Sequence, residues 1–72
     1  MLTLGDLFEN VAVQGNVRIS TWEDDHETVL KWFDEVEYVP AHHRSLERWL
    51  DAEVLYMFAP GDGFLHIEIE KH

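Results

Sequence analysis

A chain of 72 residues has room for one domain and one core, and folding at this size removes only about 60% of the surface the unfolded chain would expose. Hydrophobic residues make up 46% of it, with three Trp, four Phe and two Tyr, which excludes a disordered acidic tail. Fifteen Asp and Glu against five Lys and Arg leave a net charge of -10, which argues against direct binding of nucleic acid or of an anionic membrane.

The N-terminal MLTLGDLFEN has no basic lead and no long apolar run, so a secretory signal is not expected. Thr3 is placed to cap a short helix whose Leu4, Leu7 and Phe8 form one apolar stripe. Such a helix is too short to be stable alone and must pack on something. Gln14, Gly15 and Asn16 then mark a turn, with residues 11–13 open to a short extra strand. From there Val17, Ile19 and Thr21 alternate with Arg18, Ser20 and Trp22, the pattern of a strand with one face inward.

The stretch EDDHETVLKWFDEVE follows, with seven carboxylates and one lysine. Its central TVLKWF is rich in β-branched and aromatic residues and reads as a second strand, joined to the first by a hairpin with EDDH at its tip. A helix over residues 27–36 competes, because Leu30, Phe33 and Glu37 fall at helical intervals; the strand is preferred.

Pro40 opens a segment in which Leu46, Trp49 and Leu50 stand at i, i+3 and i+4, the mark of a short amphipathic helix. The last third carries two alternating runs around PGDG, a hairpin loop with glycine available for positive φ. Leu65, Ile67 and Ile69 are expected inward, with Phe64, His66, Glu68 and Glu70 on the other face. The expected fold is a single α+β domain over residues 1–72. Two hairpins form an antiparallel sheet of about four strands, with a short N-terminal helix and a short helix between the hairpins.

No cysteine is present, so neither a disulfide framework nor a thiolate metal site is available. No window approaches the roughly 18 apolar residues of a membrane span. A complete, cytoplasmic small protein is the expectation. His26, His42, His43, His66 and His72 show no paired ligand spacing, so at most adventitious metal binding is expected and no cofactor. Ser20 and Ser45 lack the context of a nucleophile, and Gly61-Asp62-Gly63 is followed by neither a lysine nor a helix start, so it is no phosphate loop. An enzyme is not expected.

Strand residues of equal parity point to one face about 6.6 Å apart. Glu23, Asp25 and Glu27 share a parity, as do Glu35 and Glu37, and as do Glu68 and Glu70. Laid side by side they would form a ribbon of spaced negative points, which a basic groove recognises much as it recognises phosphate. The candidate partner-binding residues are therefore Glu23, Asp24, Asp25, Glu27, Asp34, Glu35 and Glu37, with Trp22 as an apolar anchor. The plain alternative is a solvated face that keeps a small protein soluble.

The runs LGDLFENV, NVRISTWEDD and EVLYMFAPGDGFLHIEIE resemble small acidic proteins of phages and mobile elements of Gram-positive gut bacteria. That resemblance implies a setting in which anti-CRISPR and anti-restriction inhibitors block a nuclease or other nucleic-acid-binding protein by filling its basic channel. The expected function is an acidic binding module on such a partner. A homo-oligomeric or accessory interaction module, with the charge serving only solubility, is the alternative.

Overall fold

The computed structural model describes residues 1–36 and 44–70. Its first helix, α1 (Leu4–Asn10), starts where Thr3 predicts: the Thr3 hydroxyl accepts the Asp6 N–H at 3.1 Å and the Asp6 carboxylate accepts the Thr3 N–H at 3.3 Å. Leu4, Leu7 and Phe8 are buried as one stripe. Residues 11–13 form no strand, although Val13 reaches the core.

Strands β1 (Gly15–Glu23) and β2 (His26–Val36) pair antiparallel across a two-residue turn at Asp24 and Asp25. Both turn residues have positive φ, 50° and 66°, which lets the turn follow the right-handed twist of its strands and which Asp tolerates better than most side chains. The strand reading of residues 28–33 is therefore correct, and the competing helix is absent. Strands β3 (Val54–Phe58) and β4 (Leu65–Ile69) form the second hairpin, with Gly61 and Gly63 in the loop at φ 92° and 89°.

The sheet order is β2-β1-β4-β3, and β1 lies parallel to β4. The sheet is therefore mixed, not the expected antiparallel one. Each hairpin is fixed locally, but how the two join depends on which strands gain most by burial. Val17 and Ile19 of β1 and Ile67 and Ile69 of β4 are fully buried, so these two strands take the centre and leave β2 and β3 at the edges.

That order makes β2 and β3 run the same way. In its described part the expected helix is not an α-helix but a 3-10 helix, Arg44–Trp49, which puts Leu46 into the core and packs Trp49 and Leu50 against it. A short, tight helix suffices because its end is held by α1: the Gly5 N–H donates to the Leu50 carbonyl and the Leu4 N–H to the Ala52 carbonyl, both at 2.9 Å. A side chain at position 5 would press its Cβ to 3.1 Å from that Leu50 oxygen, which accounts for glycine there. Pro40, His42 and His43 lie outside the described residues.

The core is thus one-sided. Leu4, Leu7, Phe8, Val17, Ile19, Phe33, Leu46, Ile67 and Ile69 fill the layer between α1, the 3-10 helix and one sheet face. Among the described residues no helix packs on the other face. None of them belongs to a helix long and apolar enough to cross a membrane.

Candidate protein-binding face

The uncovered face is set by alternation. With Val17, Ile19 and Thr21 turned inward, β1 presents Arg18, Ser20 and Trp22 outward; with Leu65, Ile67 and Ile69 inward, β4 presents His66 and Glu68. The parallel register seats Arg18 beside His66 and Ser20 beside Glu68. On the far side β3 adds Tyr56 opposite Glu68 and Phe58 opposite His66.

Strand β2 contributes by an irregularity. Ser20 pairs with Val29 and Ile19 with Lys31, so Leu30 is an extra residue that bulges toward the core. The bulge shifts the parity of everything after it. Trp32, not Lys31, therefore joins Glu27 on the open face and stands opposite Arg18.

Arg18, Glu27 and His66 are partnered on this face. Arg18, Ser20, His66 and Glu68 are buried, although no helix among the described residues covers them. Arg18 Nη2 donates to Glu27 Oε1 in an ion pair, Arg18 Nη1 donates to His66 Nδ1 at 2.9 Å, and Ser20 Oγ donates to Glu27 Oε2 at 3.3 Å. A guanidinium has no acceptor, so His66 Nδ1 carries the lone pair and His66 Nε2–H donates to Asp62 Oδ2 at 2.7 Å. Both ring nitrogens are thus engaged by protein groups.

Electrostatics follow from these contacts. The hydrogen bond from Arg18 holds the Glu27 carboxyl below the ordinary carboxylate range, and the same bond raises the Arg18 guanidinium. Asp62 is also lowered, first by the Phe64 backbone N–H that its Oδ1 accepts at 2.9 Å and then by His66.

Aromatic rings frame the polar cluster. The Arg18 guanidinium lies 5.2 Å from the Trp32 ring centroid, Trp32 meets Phe64 edge-on at 4.9 Å, and Phe58 lies 5.1 Å from the His66 ring. Trp22 and Trp32 nevertheless remain 57% and 47% exposed. Beyond the loop end a shallow depression of about 410 Å³ is bounded by Gln14, Asn16, Ala59, Gly61, Gly63, Phe64 and Leu65, none of them titratable.

The residues singled out in the sequence do not come together as one ribbon. Trp22 is on the open face as expected, but Trp22 pairs with Glu27 and Glu23 with His26, so the two-residue turn puts Glu23 and Glu27 on opposite faces. Asp24 and Asp25 stand exposed at the turn itself. Glu27 is held by Arg18, and Asp34 is exposed near the end of β2. Glu35 lies within β2, and Glu37 lies outside the described residues. The shared-parity expectation for Glu23, Asp25 and Glu27 assumed a continuous strand, which the turn interrupts.

Sequence reasoning weighed Trp32 as an anchor but preferred Trp22, and it missed Arg18, Tyr56, Phe58 and Asp62. Arg18 carried a usable signal, as a lone cation in the middle of an apolar alternation, where burial demands a carboxylate partner. Among the described residues no group of three or more His, Asp or Glu is arranged to hold a metal ion; His42, His43 and His72 lie outside them.

No family model, curated protein or solved structure matches this chain. The chemistry of the face itself therefore carries the functional reading.

Proposed function

We propose that this protein is an acidic, non-catalytic binding module that occupies a basic surface of a nucleic-acid-handling protein, as an inhibitor of anti-defence type carried by a phage or mobile element. The observation that carries the reading is the uncovered sheet face, on which Trp22 and Trp32 stay about half exposed in a chain of net charge -10. Exposed tryptophans of this kind anchor interfaces, and a strongly negative field speeds encounter with a basic partner and selects for it. The role of the carboxylates is then the field, with Asp24 and Asp25 exposed at the hairpin turn. A phosphate-spaced ribbon is not part of the reading, since Glu23 and Glu27 face apart.

A second reading, a homo-oligomeric module with the charge serving solubility, draws support from the exposed apolar strand β3. Capture from a bacterial host lysate, washed at low and then moderate salt, separates the two. The expected result is a nucleic-acid-binding protein that elutes with salt and is lost with Trp22→Ala. Because Asp24 and Asp25 sit at positive φ, charge there is best removed as Asp24→Asn with Asp25→Asn, which keeps the turn. Recovery of no partner, together with sedimentation as a dimer, would replace the first reading with the second.

A further inference from the structure

We propose that the partner docks on the outer edge of β3, laying an extended segment that bears alternating arginine or lysine alongside it as a fifth strand. This rests on the basic-partner reading above and names where that partner binds and in what conformation.

Strand β3 ends the sheet order, so its inner side bonds β4. Its outer side is engaged at its beginning, where the Val54 N–H donates to the Leu2 carbonyl at 2.8 Å and Thr3 bridges Glu53. Beyond Val54, no described strand pairs with it on that side. Proteins protect such edges with charge, proline or irregular pairing. The opposite edge, β2, is protected in this way by Glu27, Lys31, Asp34 and the Leu30 bulge. By contrast β3 reads VLYMF, with no charge and no proline, and its one register shift lies before Tyr56. Leu55, Tyr56, Met57 and Phe58 are 43%, 63%, 49% and 44% exposed.

The occupant is chosen by charge and by the neighbouring rings. A second copy would bring a net charge of -10 against the same charge, and Asp51 and Glu53 before the strand and Asp62 after it would meet like charges. A basic segment meets those carboxylates as counterions. Tyr56 and Phe58 lie on the open face, so alternate side chains of an added strand run beside them, where arginine or lysine stacks on an aromatic ring. The added strand extends the face that already holds Trp32 and Arg18.

The test uses the isotope-labelled full chain and three short synthetic peptides: one alternating arginine and valine, the same peptide with alternate backbone nitrogens methylated, and one alternating glutamate and valine. The first is expected to move the amide resonances of Leu55, Tyr56, Met57 and Phe58 and to slow their hydrogen exchange. The methylated peptide, equal in charge but lacking edge donors, should bind at least about tenfold more weakly, and Tyr56→Lys should weaken the first peptide by a similar factor. Equal binding of the methylated peptide, or shifts confined to Asp24 and Asp25, would overturn the edge while leaving a basic-partner module standing. Failure of both arginine peptides to bind would remove both. Protection of β3 that grows with protein concentration alone, with dimers by sedimentation, would assign the edge to a second copy and overturn the proposal.

Discussion

The Arg18-Glu27 pair shows how one residue decides the character of a face. Replacing Glu27 by Gln leaves a mostly buried guanidinium with weaker compensation, and a loss of about 1–3 kcal/mol in urea unfolding near neutral pH is expected. The pH dependence has a definite sign. Glu27 is held below its unfolded value, so its contribution is present above the ordinary carboxylate range and is lost as pH falls through that range to the lower folded value. Unfolding midpoints followed from about pH 6 downward should therefore fall faster for the native chain than for Glu27→Gln. Thr21 gives the opposite case, since its hydroxyl is buried on the core face with no hydrogen-bond partner among the described residues. Thr21→Val keeps the shape and removes that group, and a gain of about 1 kcal/mol is expected in the same measurement. Neither effect was legible in the sequence, where Glu27 stood among seven carboxylates and Thr21 was one β-branched residue in a strand.

Among the elements, the first hairpin depends on its turn. Asp24 and Asp25 at positive φ hold Glu23 opposite His26, and the Asp24 carbonyl receives the His26 Nδ1–H at 3.3 Å. Asp25→Val should cost about 1–2 kcal/mol from left-handed strain, whereas Asp25→Asn should cost little, a contrast thermal unfolding followed by circular dichroism would resolve. The EDDH tip, the Thr3 cap and the PGDG loop were legible because each rests on a few adjacent residues with defined backbone preferences. The Leu30 bulge was not, because it arises from the mismatch between β2 and the strand it pairs with. The 3-10 helix is a related case: Leu46 and Trp49 fit either helix type, and the pairing of Leu50 and Ala52 with α1 settles the tight form.

At the scale of the molecule, charge and core pull in opposite directions. A net charge of -10 on one small domain opposes compaction, so screening should raise the thermal midpoint from low to moderate salt at neutral pH. A scanning calorimetry series in sodium chloride checks this, and an unchanged or falling midpoint would mean that the Arg18 and His66 contacts outweigh the repulsion. The one-sided architecture explains why the chain tolerates the charge. The core residues are gathered against α1 and the 3-10 helix, Arg18 and Glu27 pair on the other face, and Asp24, Asp25 and Asp34 are left to solvent.

By itself the sequence determined the local pieces: the capped helix, both hairpins, the inward faces of β1 and β4, and a strong excess of negative charge. These follow from period, turn chemistry and charge count, all of which act over a few residues. Only the tertiary structure decided that β1 and β4 lie parallel at the centre, that a bulge brings Trp32 over Arg18, and that Glu27 is an ion-pair partner and not a free negative point. Those outcomes turn on which strands are buried together, a competition among distant segments that no local pattern encodes.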